Sequence, residues 1–224
     1  LDPRTSKQGR PTTPDSIIDD RRERLFRRGL RLEYFSVAWD LIEGGVALAA
    51  GIVSGSTALI AFGADSAIEV VSALALVRRF REAGPDATEE EHGAAERRAL
   101  GIVGATFFLL AAYVAIEGVL GLVHHEAPGR SPVGLALALV SIVVMPLLAR
   151  AKQATGRELG SKALQADGAE TWVCAYLSLA LVLGIGLHML FGWWWADDAA
   201  ALAMLPVLLW QGWETLEEAR EEED

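Results

Sequence analysis

Apolar residues fall in six long blocks separated by short polar stretches. The blocks are Leu32–Val53, Thr57–Val77, Ala99–Val123, Val133–Ala149, Ala163–Phe191 and Ala196–Trp213. A helix needs about 20 mostly apolar residues to cross a bilayer, and several such runs in one chain are foreign to soluble domains. The pattern predicts an all-α integral membrane protein with six transmembrane helices. The fifth block is longer than a membrane requires, so its start is expected to project into the cytoplasm. Pro146 and Pro206 fall inside blocks, where neighbouring helices can satisfy the carbonyl that a proline frees.

The flanking segments are of another kind. Residues 1–31 contain Pro3, Pro11 and Pro14, followed by Arg21, Arg22, Arg24, Arg27, Arg28 and Arg31. They are expected to form a disordered, basic N-terminal tail that anchors the first helix on the cytoplasmic side. Residues 32–213 form the membrane domain, and residues 214–224 a short acidic C-terminal tail. With the N-terminus inside, nineteen of the twenty lysines and arginines fall in the tails and the inner loops, and Arg130 alone falls outside. This asymmetry predicts cytoplasmic termini, in a cell (inner) membrane. Trp193, Trp194 and Trp195 would mark the outer interface, and Trp210 and Trp213 the inner one.

Composition narrows the function classes. The chain of 224 residues is 52% hydrophobic and carries a net charge of −10, which disfavours nucleic acid as a partner. Its one cysteine, Cys174, rules out an internal disulfide. The polar, basic N-terminus gives no sign of a cleavable signal.

Several blocks hold acids. Asp65 and Glu69 lie well inside the second, four residues apart and therefore on one helix face. Asp40 and Glu43 share a face of the first, and Asp167, Glu170 and Cys174 share a stripe of the fifth. A charge at bilayer depth costs roughly 3 kcal/mol on insertion scales, so such acids need a cation or shared protons. No lysine or arginine falls deep inside a block, so no internal basic partner is expected. If helices one, two and five pack together, the acids converge near mid-membrane. Carboxylates with a thiolate suit zinc and other divalent transition metals. Metal and protons would compete for one set of groups, which is a physical basis for exchange. Glu117 is read as structural or functional alike, and Asp197 and Asp198 as helix-start or interfacial groups.

These residues carry a family resemblance. SGSTALIAFGADSAIE in the second block resembles the SGSxALxAxxxDSxxD element of the cation diffusion facilitator family of metal transporters. Its metal pair falls on Asp65 and Glu69, with Glu in place of Asp. The fifth block resembles the family's A-x-x-AD-x-x-H-x-x-x-D helix, which places the remaining metal ligands on Glu170 and Cys174 where His and Asp are usual. The segment Glu91–Glu96 resembles the GHGKxE signature without its first glycine and lysine, and makes His92 a possible accessory metal residue. WADDAAAL resembles the family's WADP-like start of helix six, with Asp197 at its aspartate.

The resemblance implies a six-helix transporter, usually a homodimer, that exports a divalent cation from the cytoplasm in exchange for protons. It implies a short form without the usual cytoplasmic C-terminal domain. The metal ligands would be Asp65, Glu69, Glu170 and Cys174, with Asp40, Glu43 and Asp167 as neighbouring or proton-coupling acids. Zinc is the first choice of cargo; iron, manganese, cobalt and cadmium stay open, and no separate cofactor is implied. The alternatives are a membrane-embedded metal sensor or assembly partner without transport, and an intramembrane aspartyl protease.

Overall fold

The computed structural model describes residues 14–83, 94–125 and 127–221. They form six helices, with no strand among them: α1 (Pro14–Ser54), α2 (Thr57–Ala83), α3 (Ala94–His124), α4 (Pro132–Leu159), α5 (Lys162–Phe191) and α6 (Ala196–Glu221). Each apolar block forms the body of one helix. Four stretches are long and apolar enough to cross a membrane: Arg21–Ser54, Gly104–His124, Pro132–Leu159 and Ala163–Phe191. The other two helices, α2 and α6, carry Asp65 with Glu69 and Asp197 with Asp198 among their apolar residues.

Local chemistry sets the helix ends. Ser131 caps α4 by accepting from the Gly134 amide, and Pro132 follows where a missing N–H costs nothing. Gly160 ends α4 in the left-handed region at φ 74°, which side chains resist, and Ser161 at once caps α5 by accepting from the Leu164 amide. The tight turn brings α4 and α5 together along their lengths. At the other face, Ser54-Gly55-Ser56 turns α1 into α2, with Gly55 at φ 67°. Ser56 Oγ accepts from the Leu59 amide at 3.1 Å and donates to Asp197 Oδ1 of α6 at 2.6 Å. Asp197 Oδ2 also accepts from the Ala58 amide at 3.4 Å. The serine-glycine-serine element is therefore a capped corner, and Asp197 ties the first turn of α2 to α6.

The helices pack as three close pairs, α1 with α2, α3 with α6 and α4 with α5. Helix α2 also contacts α3, α5 and α6, which puts it at the centre. Its Leu59, Phe62 and Ile68 join Ala47, Val114, Leu177, Leu181 and Met204 in one buried core. The outer surface is apolar too: Leu41, Ile52, Val53, Leu109, Ile116, Val143 and Leu190 are all more than half exposed. In a bilayer, lipid covers such a belt.

Two expectations about the ends are corrected. Helix α1 does not start at Leu32 but at Pro14, so residues 14–31 are helix rather than disordered tail. Proline suits a first helical turn, and the arginines are good helix formers. Phe26 and Leu30 pack this extension against the buried Leu164 at the α4–α5 turn, and Arg21 pairs with Glu158 at 3.1 Å. Likewise α6 continues to Glu221, so most of the expected acidic tail is helical.

Candidate metal site

Helix α2 presents Asp65 and Glu69 one turn apart toward α5, where Cys174 faces them. One ligand atom from each of these three residues lies within 4.8 Å of the other two. Asp65 and Cys174 are fully buried. Neither carboxylate oxygen of Asp65 has a hydrogen-bond partner, nor does Glu69 Oε2. Buried polar atoms are ordinarily paired, because an unpaired one costs about 1–3 kcal/mol and a charged one more. Two acids and a thiol aimed at a common point form a donor set for a divalent cation of borderline softness. Zinc–oxygen bonds of about 2.0–2.2 Å and a zinc–sulfur bond of about 2.3 Å put tetrahedral ligand atoms roughly 3.5 Å apart. The separations between the three ligand atoms would shorten by at most about 1.3 Å to hold such an ion.

Glu43 braces this cluster from α1. It is fully buried and meets a residue from each of three other helices. Ser141 Oγ of α4 donates to Glu43 Oε1. Ser66 Oγ of α2 lies 3.3 Å and Cys174 Sγ of α5 lies 3.7 Å from Glu43 Oε2. The Cys174 thiol thus neighbours both Glu43 and the Asp65–Glu69 pair. The close approach of α1 and α2 that this requires is made by glycines: a Cβ on Gly63 would sit 2.7 Å from the Leu48 backbone nitrogen.

Glu170 is not in the three-residue cluster. It lies one turn from Cys174 toward the start of α5 and lines an adjoining cavity of about 10 Å³, room for one water-sized occupant. Ser36, Asp40, Glu69, Lys152 and Asp167 line the same cavity. Glu69 therefore borders both the cluster and the cavity. His92 lies outside the described residues.

The absence of an internal basic partner is also corrected. Lys152 is only 2% exposed, ion-paired to Asp167 of α5 and 3.6 Å from Glu33 Oε2 of α1. The lysine lies beyond the last apolar residue of its block, but α4 runs on to Leu159 and packs along α5. Glu33 itself, fully buried, was not singled out by spacing. The one available signal was its place seven residues before Asp40, on the same face of the first helix.

Residues 34–222 match the family model described as the cation efflux transmembrane domain. The chain belongs to the cation efflux family. Two curated relatives of this cation efflux protein illustrate the range. It is 27% identical over 186 residues to "Uncharacterized transporter sll1263" of Synechocystis sp., covering 82% of this chain and 60% of the relative. It is 29% identical over 157 residues to "Magnetosome protein MamB" of Magnetospira sp., covering 69% of this chain and 53% of the relative. The chain thus spans between half and two-thirds of the length of these relatives. The family match and the four apolar spans make it a multi-pass membrane protein.

Proposed function

We propose that this chain moves a divalent transition-metal cation, zinc first, out of the cytoplasm in exchange for protons. The observation that carries the reading is the convergence of Asp65, Glu69 and Cys174 within 4.8 Å, with both Asp65 oxygens unpaired at the centre of the bundle. The ion would enter from the cytoplasmic face through the cavity at Asp40, Glu69 and Glu170. It would then shed water onto Asp65, Glu69 and Cys174, with Glu170 completing the set as the helices close. Glu43 would hold the thiol in place. Protons would take the carboxylates once the metal has left, since clustered acids resist ionising together. The functional unit would be a homodimer in a cell membrane, both termini cytoplasmic.

Purified chain in proteoliposomes tests this directly. Zinc uptake driven by a pH gradient, abolished in Asp65→Ala, is the expected result. Zinc flux and binding both intact in Asp65→Ala would remove the site. A panel of zinc, iron, manganese, cobalt and cadmium on wild type and Cys174→Asp assigns the cargo. Binding without flux in the wild type would move the reading to a sensor or assembly partner. An aspartyl protease needs two aspartates sharing a proton at close range. Here Asp65 is grouped with a glutamate and a thiol.

A further inference from the structure

The ion cluster of Glu33, Lys152 and Asp167 is not part of the donor set above, yet it opens onto the same cavity. Lys152 and Asp167 line that cavity beside Asp40, Glu69 and Glu170, while Glu33 stands behind the lysine and does not line it. Three helices contribute: Glu33 from α1, Lys152 from α4 and Asp167 from α5. The cluster is dry. Glu33 is 0% and Lys152 2% exposed, and neither Glu33 oxygen has a hydrogen bond. One turn from Glu33 on α1, Ser36, 1% exposed, lines the cavity with its hydroxyl unpaired.

We propose that Lys152 is the resident cation of this cavity, a fixed ammonium that occupies Asp167 and Glu33 and so limits the mobile cargo to one divalent ion per chain. The reasoning is electrostatic. Besides Glu69 and Glu170, which serve the first ion, the cavity wall carries Asp40 and Asp167, a pair of carboxylates that a second cation could use. Two unit charges 4 Å apart interact by about 4 kcal/mol at an effective dielectric of 20, so an ammonium beside Asp167 strongly opposes a second cation there. A lysine is suited to the task, being a compact charge on a flexible stem that delivers it to one point. Its partner Glu33 offsets part of that charge from outside the cavity. Lys152 and Glu33 therefore act on cargo affinity with opposite signs, although neither need touch the metal. The inference rests on the transport site proposed above.

Zinc binding to the purified chain in lipid nanodiscs, by calorimetry and elemental analysis, tests it. In Lys152→Gln, Asp167 is released, and the chain takes up a second zinc ion or binds the first at least threefold more tightly. In Glu33→Gln the ammonium is less neutralised, and zinc binds at least threefold more weakly. The double variant Glu33→Gln/Lys152→Gln departs from the sum of the single gain and the single loss, because removing Glu33 has no effect on zinc once the ammonium it offsets is gone. Lys152→Arg keeps the charge and keeps one zinc. An unchanged or weakened zinc isotherm in folded Lys152→Gln overturns the proposal. Glu33→Gln decides alone if Lys152→Gln does not fold: unchanged or tighter zinc binding there overturns it. Wild type that binds no zinc is a different outcome, one that sinks the transport site itself. Wild-type binding with both single variants unaltered sinks this inference alone.

Discussion

Gly63 offers a test of how the helix spacing supports the metal cluster. A methyl group there would meet the Leu48 nitrogen at 2.7 Å, Leu48 Cγ at 2.8 Å and Ala47 Cβ at 3.0 Å. The nearest of these is backbone, which cannot rotate away. Helix α1 must therefore recede by about 0.7 Å, the gap between 2.7 Å and the 3.4 Å at which ordinary contact begins. Overpacking of this kind costs about 1–3 kcal/mol. The displacement acts on Glu43 of the same helix, already 3.3 Å from Ser66 Oγ and 3.7 Å from Cys174 Sγ. Both contacts would pass out of hydrogen-bond range, and the thiol would lose its brace. Gly45, two residues from Glu43, is the matched control: an added Cβ finds nothing within 4 Å. Alanine there removes a helical glycine and stabilises by about 0.5–1 kcal/mol. Thermal unfolding and zinc calorimetry on Gly63→Ala and Gly45→Ala provide the comparison. Gly63→Ala is expected to melt earlier and to bind zinc at least tenfold more weakly, with Gly45→Ala equal to or above wild type. Equal melting and equal affinity for the two variants would refute the reasoning.

Further outcomes follow from other contacts. Cys174→Ser keeps the size and a donor toward Glu43 but replaces sulfur by oxygen. Competition binding should show a larger loss for cadmium and zinc than for manganese, because thiolate favours the softer ions. Asp197→Ala leaves Ser56 Oγ and the Ala58 amide without their acceptor and should cost about 0.5–2 kcal/mol in denaturant melts, as loss of a helix cap does. Leu164→Ala empties the contact beneath Phe26 and Leu30 and should cost about 2–5 kcal/mol. Arg21→Ala should cost under about 1 kcal/mol by the same melts, since its pair with Glu158 is solvent-exposed.

The six helices were legible in the apolar blocks because burial in lipid imposes a length that hydropathy records. The Asp65–Glu69 pair was legible because a four-residue spacing fixes a common face whatever the tertiary structure. Cys174 was legible only with the family pattern beside it; alone, a helical cysteine reads as packing. Glu170 shows where spacing stops. It shares a stripe with Cys174, but one helical turn is about 5.4 Å of rise, enough to put it in the adjoining cavity. Lys152 was missed because the apolar block ends before it. Only the packing of α4 on α5 and α1 makes that polar turn an interior one. The helical start of α1 was missed for a related reason: its prolines and arginines look like a tail until Phe26 and Leu30 find Leu164.

The length of α1 has a mechanical consequence. An unbroken helix of 41 residues is about 60 Å long, twice the thickness of the hydrocarbon layer. Asp40 and Pro14 lie on this one rod, about 39 Å apart along its axis. A rocking of roughly 10° about Asp40 would swing the Pro14 end through about 7 Å by that geometry. Any tilt of the bundle interior is thereby amplified into a sweep of the Pro14 end, large enough for a pair of spin labels to follow.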